Sequence, residues 1–383
     1  MARFIPLLLA LVLAPSAQAA IPAVQAHRGG PVLDGVPTYP EESMPAFRNA
    51  AQNLHVVLEL DAKLTADGVP VVFHDPTLDR TTNCEGPVVE RTLADLAPCM
   101  EDVLGAPGND LPTAPATEPV PISTLADVLA FAKAEGIGIN LEIKNYPTDD
   151  EDYDPTPAFA NRIMDVVLES GIPAKQVIIQ SFVPANLQVA ESRMPDAEFA
   201  FLSLAGSEDF GLATAAANNW DWVSPAWPVD KAFVEQAHGQ DVRVVPYTLN
   251  QRADVESAAA AGVDALISDD PLMALKTVDT EPAGVKLEPL STKLARVRRK
   301  GKLRVRVLSD EPGTAELVAR LKRKVLGTRI FAFDAGARRV VVRLTRAGRS
   351  ALEDRDTAKV KLVAKTRDVV ANRGTARATA PLG

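Results

Sequence analysis

The chain is poor in cysteine, in aromatic side chains and in long apolar runs, and each shortage excludes a class of protein. It has 383 residues but only two cysteines, and aromatics make up 5 % of it. Two cysteines cannot complete a soft-ligand metal site, because no further soft ligands lie nearby. After the N-terminus no stretch approaches the ~20 apolar residues of a membrane-spanning helix. No glycine-rich fingerprint follows a predicted strand, which argues against dinucleotide binding.

The remaining composition is that of a globular protein. Hydrophobic residues make up 46 % of the chain and charged residues 24 %. These values are ordinary for a soluble protein, and the length is sufficient for two domains.

The first twenty residues, MARFIPLLLALVLAPSAQAA, have the layout of a secretory signal peptide. Arg3 is followed by an apolar run over residues 4–14 and by a small-x-small sequence at residues 17–19. Pro15 and Ser16 interrupt the run too early for a membrane span. We therefore expect residues 1–19 to be removed and the protein to be exported. An ordinary apolar helix is the alternative.

The two cysteines, Cys84 and Cys99, lie fifteen positions apart. An even number of cysteines in an exported protein most simply indicates one disulfide. Two unpaired thiols are the alternative, because spacing alone does not show that the geometry closes.

Charge is divided unevenly along the chain. Residues 281–383 carry 26 Lys and Arg against 10 Asp and Glu, whereas the rest of the chain carries 15 against 40. A basic C-terminal part predicts a polyanionic partner, such as a cell-wall polymer or a membrane surface, or attraction to the acidic body. Nucleic acid is weakly supported, because this part has almost no aromatics to interleave with bases.

Short β-type runs alternate with helical patterns between residues 23 and 274. This alternation predicts an irregular (β/α)8 barrel of the TIM type over residues 20–278, with a doubly wound open sheet as the alternative. The predicted strands are 24–28, 56–61, 69–74, 137–144, 176–182, 198–203, 221–225, 243–249 and 264–268. The clearest helical patterns are 45–51, 125–135, 159–169 and 252–261.

Two regions depart from this alternation. The strands at 56–61 and 69–74 are separated only by a glycine turn, so one of them is irregular or the two form a hairpin. Residues 84–121 are rich in proline, contain both cysteines and show no strong periodicity. We interpret them as an insertion into the barrel.

The pattern changes after Thr277. Residues 303–309, 329–336 and 338–345 alternate apolar and polar side chains. They predict a small, mainly β C-terminal domain over residues 279–383, with a sandwich as one arrangement. A helical turn is expected at residues 314–324.

Charged side chains lie at the ends of four successive predicted strands, where the active site of a parallel barrel forms. Residues two apart on a strand share a face, so Glu59 lies with Asp61, and Glu142 lies with a lysine, Lys144. Three carboxylates form a hard-oxygen site that suits Mg²⁺ or Ca²⁺ better than zinc. Such an ion would balance buried negative charge. The other polar residues at these ends are His27, Arg28, His74 and Asp75.

Each of these signals has an ordinary structural explanation when taken alone. A Glu-x-Asp pair on a strand is more often half-exposed, and Glu142 with Lys144 could form a surface ion pair. Their joint placement at four strand ends favours a functional site. His55 precedes its strand and His238 follows a helix, so we interpret both as structural.

Several motifs together resemble the glycerophosphodiester phosphodiesterase family. The match extends over residues 23–275, and the motif LELDAKLTADGVPVVFHDPTLDRTT is long enough to be specific. The motifs are AHRGG, PEES, LELDAKLTADGVPVVFHDPTLDRTT, LEIK, QSF, YTLN and GVDALISDDP. The basic C-terminal domain is not covered.

The resemblance implies a metal-dependent hydrolase that cleaves glycerophosphodiesters to glycerol 3-phosphate and an alcohol. It implies metal ligands at Glu59, Asp61 and Glu142, acid and base histidines at His27 and His74, a phosphate contact at Arg28, a substrate-facing lysine at Lys144 and a supporting carboxylate at Glu41. The sequence does not say which histidine is the base. Glu42, Tyr247 and Ser268 stand where the family commonly has Asn, Trp and Thr.

Two other readings remain open. The same barrel could act on a lysophospholipid or a wall polymer. A non-catalytic barrel that binds anionic polymer is a third reading, which the complete set of proposed ligands and histidines disfavours.

Overall fold

A computed structural model describes residues 21–147 and 153–383. The predicted signal peptide lies outside the described residues.

None of the helices in the described residues is both long and apolar enough to cross a bilayer.

Strands and helices alternate up to residue 278, and strands dominate after it. In chain order the strands are β1 (Ala23–Ala26), β2 (Val32–Leu33), β3 (Val36–Pro37), β4 (Val57–Leu64), β5 (Pro70–Val72), β6 (Met100–Gly105), β7 (Thr113–Pro121), β8 (Ile139–Ile143), β9 (Val177–Ser181), β10 (Glu198–Ser203), β11 (Trp222–Pro225), β12 (Arg243–Val244), β13 (Ala265–Ser268), β14 (Val285–Pro289), β15 (Lys302–Ser309), β16 (Gly313–Leu321), β17 (Lys324–Phe333), β18 (Gly336–Arg343), β19 (Ala358–Asp368) and β20 (Arg373–Leu382).

The α-helices lie mainly between the barrel strands. They are α1 (Met44–Asn49), α2 (Leu93–Leu96), α3 (Leu125–Glu135), α4 (Ala158–Ser170), α5 (Pro184–Arg193), α6 (Glu208–Asn218), α7 (Lys231–His238), α8 (Arg252–Ala261), α9 (Pro271–Val278), α10 (Leu294–Lys300) and α11 (Arg346–Ser350). A π-helix, Ala50–Leu54, continues α1.

Eight parallel strands form the barrel, in the order β12-β11-β10-β9-β8-β4-β1-β13. The ends of this sheet meet, because the Asp264 and Ile267 amides each donate to a carbonyl oxygen of the segment that begins with β12, at 3.0 Å. The expected TIM-type barrel is therefore confirmed, and the open-sheet alternative is excluded.

The predicted strand at residues 69–74 is not one of the eight barrel strands and forms one half of a hairpin. Strand β5 runs antiparallel to the end of β4, with Ala62 opposite Val72 and Leu64 opposite Pro70. The turn between them contains Gly68 at φ +73°, a conformation that favours glycine.

Apolar side chains of the strands pack outward against the helices. On β4 the alternation places Leu58, Leu60 and Ala62 in the barrel's main hydrophobic core, while the residues between them face the barrel interior. Each fully buried leucine contributes about 1.5–3 kcal/mol relative to exposure. The same alternation that stabilises the barrel thus directs polar side chains inward.

The insertion contains structure that the sequence pattern did not predict. Strands β6 and β7 form an antiparallel hairpin with a register shift. A disulfide joins Cys84 to Cys99, with 5.4 Å between the Cα atoms, as expected. Leu78 and Val88 pack with them in a small separate core.

The C-terminal domain consists of antiparallel strands in two sheets, β14-β15-β18 and β17-β16-β19-β20. Their inward side chains, such as Val305, Leu317 and Leu362, share one core that is separate from the barrel's.

The helical turn expected at residues 314–324 is wrong. This segment forms β16 and the start of β17. It is rich in good helix formers, but its buried residues, such as Ala315, Leu317 and Ala319, recur with period two. Pairing with β17 and β19 on both sides outweighs the intrinsic helix propensity.

Candidate active site

Strands β4 and β8 place three carboxylates at the C-terminal end of the barrel. Their parallel register sets Asp61 directly beside Glu142, and Glu59 lies two residues before Asp61 on the same face. One oxygen from each carboxylate lies within 4.8 Å of the other two. All three side chains are buried. The structure thus brings together the three predicted ligands.

The protonation of these carboxylates reflects a shortage of positive charge. Burial, together with the nearby Asp61 carboxylate, raises the pKa of Glu59 to about 7 and the pKa of Glu142 to about 8. Burial also acts on Asp61, but the cations Lys144 and Arg28 hold its pKa well below the usual range. A further cation beside them would favour the ionised form of all three.

The donor set fits a hard divalent cation. Asp61 Oδ2 is fully buried and accepts no hydrogen bond from the part of the chain that the structure describes. Carboxylate oxygens are the ligands that Mg²⁺ and Ca²⁺ prefer. An ion here would satisfy the orphaned oxygen and lower the pKa values of Glu59 and Glu142.

Arg28 adopts a left-handed conformation, with φ +50°, in the turn directly after β1. Its amide donates to Glu59 Oε2 at 2.9 Å, and its guanidinium donates to Glu41 Oε1 at 2.9 Å. Arg28 Nε lies 3.6 Å from Asp61 Oδ2. These contacts hold the guanidinium beside the carboxylates.

The two glycines after Arg28 allow the turn to pack closely. A Cβ on Gly30 would lie 2.5 Å from Pro271 Cγ, and Gly30 has φ +74°. The turn therefore fits against the start of α9 only with glycine at this position.

His27 forms an ion pair with an aspartate from the last barrel strand. His27 Nδ1 lies 2.6 Å from Asp269 Oδ1. The other oxygen, Asp269 Oδ2, accepts hydrogen bonds from the side-chain amides of Asn109 and Asn250. Burial would lower the pKa of His27, but Asp269 and Glu59 raise it above its ordinary value. The imidazolium form of His27 is thereby stabilised.

His74 also has an aspartate partner, but in a different electrostatic setting. His74 Nδ1 lies 2.6 Å from Asp75 Oδ1. Both oxygens of Asp75 also accept hydrogen bonds from Arg80, so the aspartate charge is already compensated. Burial and the cations Arg28 and Lys144 lower the pKa of His74 well below its ordinary value. These surroundings favour the neutral form of His74 and the charged form of His27.

Lys144 lies between the carboxylates and an aromatic surface. Its Nζ is 3.1 Å from Glu142 Oε1, 3.6 Å from Asp61 Oδ1 and 5.9 Å from the centre of the Phe182 ring. The Phe182 ring also contacts the rings of Tyr146 and Tyr247. A positive charge therefore stands at the boundary between the polar site and an aromatic wall.

Glu41 and Glu42 support the site from the loop before α1. Glu41 accepts hydrogen bonds from both Arg28 and Arg80. Glu42 Oε1 accepts the Asp61 amide at 3.0 Å. Burial, Asp61 and Glu59 raise the pKa of Glu42 well above its usual range. A protonated Glu42 offers an O–H donor beside a carbonyl acceptor, and an Asn side chain likewise offers N–H donors beside a carbonyl acceptor, so Glu42 can stand in place of Asn.

Tyr247 and Ser268, which also differ from the commonly found residues, both make polar contacts. Tyr247 donates its hydroxyl hydrogen to the Ser203 carbonyl oxygen at 3.1 Å. Ser268 is buried, and its Oγ accepts the Asp270 amide at 3.1 Å.

The two histidines interpreted as structural lie away from these groups. His55 is exposed at the end of the π-helix, and His238 pairs with Asp264 at 2.8 Å on the surface.

Sequence reasoning missed several residues that surround the site. Asp269 directly follows a strand, as the predicted site residues do, so its position was a usable signal. Asp75 was noted at its strand end but was given no role. Arg80 and Asn109 follow no barrel strand and reach the site through loops. Gln180, near the end of β9, donates a hydrogen bond from its side-chain amide to Glu59 Oε1, at 2.6 Å.

The barrel is similar in sequence and in fold to known proteins. The model of the glycerophosphoryl diester phosphodiesterase family matches residues 27–273. A glycerophosphodiester phosphodiesterase of Caldanaerobacter subterraneus is 29 % identical over 252 residues, which are 65 % of this chain and 94 % of the relative. One of Bacillus altitudinis is 28 % identical over 254 residues, or 66 % of this chain and 96 % of the relative.

A solved structure shows the same fold. It is an Oleispira antarctica phosphodiesterase in complex with the product sn-glycerol-3-phosphate. The TM-score is 0.53 at 22 % identity, with 68 % of this chain and 98 % of that chain covered.

Proposed function

Because this chain belongs to the glycerophosphoryl diester phosphodiesterase family, we propose that it hydrolyses glycerophosphodiesters to glycerol 3-phosphate and an alcohol. The observation that carries this proposal is the joining of three carboxylates, two histidines and Arg28 at one end of the barrel. The relatives named above carry the same activity in their names.

Glu59, Asp61 and Glu142 are the residues that would hold the metal, Mg²⁺ or Ca²⁺. When bound, such a cation supplies charge stabilisation for the phosphoryl oxygens. Arg28 contributes a second, fixed positive charge on the same side, which its contacts with Glu41 and Asp61 orient. Lys144 contacts the phosphate or the glycerol hydroxyls of the substrate.

The surroundings of the two histidines favour different roles in proton transfer, one as base and one as acid. His74, kept neutral, accepts the proton of the attacking glycerol hydroxyl as its oxygen bonds to phosphorus. His27, kept protonated by Asp269, donates a proton to the departing alcohol oxygen as its bond to phosphorus breaks. Water then opens the cyclic phosphate, with the two histidines exchanging roles. The products are glycerol 3-phosphate and the free alcohol.

A substrate that carries an acyl chain is a second candidate. Leu204, directly after β10, and Phe210, in the first turn of α6, are 50 % and 64 % exposed at the C-terminal side of the barrel. Exposed apolar side chains at this mouth favour a lysophospholipid, whereas a wholly polar mouth would favour soluble diesters.

We also propose that the C-terminal domain binds a cell-surface polyanion. On its β15–β18 face, Lys302 lies opposite Arg343 and Arg306 lies opposite Arg339. Like charges opposite each other on a sheet are unfavourable unless an external anion compensates them. Arg329 lines the same exposed groove as Lys302 and Arg343.

Export to the cell surface completes the proposal. It rests on the signal-peptide pattern of residues 1–19, and the Cys84–Cys99 disulfide agrees with an oxidising compartment.

The test is a comparison of two substrates. The protein without residues 1–19 is incubated with glycerophosphocholine or a lysophosphatidylcholine, and product release is measured for wild type and Leu204→Ser/Phe210→Ser. Release of glycerol 3-phosphate from glycerophosphocholine that is equal in both proteins supports the main proposal. If wild type turns over the lysophosphatidylcholine faster than glycerophosphocholine, and the variant loses this preference, the second candidate function would replace the first. No release from either would contradict both.

A further inference from the structure

A second group of carboxylates lies at the junction between the barrel and the C-terminal domain. It comprises Asp279, Glu311 and Asp368, which we call the junction cluster. One oxygen from each of these side chains lies within 4.8 Å of the other two. This group is separate from the active site, because α9 begins beside Gly30 and runs away from it to Val278.

The three residues come from three different segments. Asp279 directly follows α9, the last helix of the barrel. Glu311 lies in the turn between β15 and β16, and Asp368 ends β19. A group that binds all three therefore connects the barrel to two turns of the C-terminal domain.

Asp368 carries the strongest sign of a missing partner. Its side chain is 6 % exposed, and its Oδ2 has no hydrogen-bond donor among the described residues. Its Oδ1 accepts the backbone amide of Asn372, at 2.8 Å. A buried carboxylate oxygen without a donor is unfavourable unless a cation occupies its free side.

The rest of the domain does not neutralise the cluster. The ion pairs within the described C-terminal domain join Glu288 to Lys286 and to Arg306, and they leave the junction cluster out. This is notable in a region with 26 basic residues and only 10 acidic ones.

Hydrogen bonds hold the backbone around the junction cluster in place. Asn372 Nδ2 donates to the carbonyl oxygens of Asp279 and Glu281, at 3.0 and 3.1 Å. Asp310, next to Glu311, accepts the Gly284 amide at 2.7 Å. These contacts hold residues 279–284 against the turns at Asp310 and Asn372. The protein's own hydrogen bonds therefore place the three carboxylates close together.

We propose that Asp279, Glu311 and Asp368 bind a Ca²⁺ ion that fixes the barrel to the C-terminal domain. Oxygen ligands from irregular segments suit Ca²⁺, which accepts variable geometry, better than Mg²⁺, which demands a near-ideal octahedron. The absence of His and Cys from the cluster argues against zinc. The role is structural, since the residues lie outside the catalytic group.

The test separates this site from the catalytic one. The full chain carrying Glu142→Gln, which weakens the active-site ligands, is titrated with CaCl2 by calorimetry, and its melting temperature is measured with CaCl2, with MgCl2 and with chelator. We expect one Ca²⁺ to remain bound per chain and CaCl2 to raise the melting temperature.

The junction variant is Glu311→Gln, and Asp368→Asn provides a second variant should the first not fold. Each should abolish the remaining Ca²⁺ binding and the shift in melting temperature. The matched control Glu316→Gln removes an exposed carboxylate of β16 outside the cluster and should leave both unchanged. A Ca²⁺ response that persists in both junction variants, or no response in their parent, would overturn the proposal. An equal response to MgCl2 would overturn the assignment to Ca²⁺.

Discussion

His27 and Asp269 lie 242 residues apart in the sequence, yet their side chains meet at 2.6 Å. The pairing of β1 with β13 brings them together, because Ala26 lies opposite Ser268 at the end of the two strands. Closure of the barrel therefore brings Asp269 beside His27, where the aspartate favours the charged form of the histidine.

Asp269→Asn should lower kcat/KM about 100-fold and move the basic limb of its pH profile to lower pH. His27 donates a proton only while it is protonated, and Asp269 raises its pKa, so removal of Asp269 lowers that pKa. The pH dependence of glycerol 3-phosphate release measures this. Asp264→Asn, which removes the partner of His238, is the control and should leave the profile unchanged. A basic limb that stays in place would show that His27 is not the acid.

Arg80→Gln should move the acidic limb of the same profile to higher pH. Arg80 compensates the charge of Asp75, and without it Asp75 favours the imidazolium form of His74. A base is active only when deprotonated, so a raised pKa of His74 suppresses activity at low pH. Arg91→Gln, an exposed arginine of the insertion, is the control. A fall in kcat at all pH values without a shift of the limb would contradict this role.

Glu42→Gln should stabilise the metal-free protein, and more so at high pH. The pKa of Glu42 is raised on folding, so its contribution to stability is fully present below its unfolded pKa of about 4.5 and is lost as pH rises through its folded pKa. Gln keeps a donor and an acceptor without this loss. We expect the melting temperature to rise by about 2–4 °C at pH 8, equivalent to roughly 1 kcal/mol, and by less at pH 5. An equal gain at both pH values would show that Glu42 does not titrate in this way.

Replacement of both Cys84 and Cys99 by Ala should destabilise the protein against denaturant. The disulfide closes a loop with a sequence separation of 15, and opening such a loop costs about 3 kcal/mol. Denaturant unfolding of the variant is compared with that of the reduced wild type, which should be similarly destabilised. No loss of stability in either protein would mean that the bond does not form.

Local pattern was sufficient to predict the barrel, the hairpin and the residues at strand ends. Glu59 and Asp61 were predictable because a period of two places them on one face, and parallel strands end at one edge. Chain order could not reveal that Asp61 pairs in register with Glu142, although each residue was identified separately.

The residues that were missed depend on contacts between distant segments. Asn109 lies in a proline-rich insertion and reaches Asp269 across 160 residues, which no local periodicity encodes. The prediction of a helical turn at residues 314–324 was wrong for a related reason. Its helix-forming residues lie in a strand because they pair with β17 and β19. Asp269 could have been identified, because it directly follows the last barrel strand.

The measurement that tests the central claim most directly is glycerol 3-phosphate release from glycerophosphocholine by wild type and Asp61→Asn. Each protein is assayed with Mg²⁺, with Ca²⁺ and with chelator, beside an Asp127→Asn control on the surface. We expect wild type and control to be active with a divalent cation and inactive with chelator, and Asp61→Asn to be inactive throughout. Full activity of wild type in chelator, or of Asp61→Asn with either metal, would contradict the assignment of the three carboxylates as the metal site.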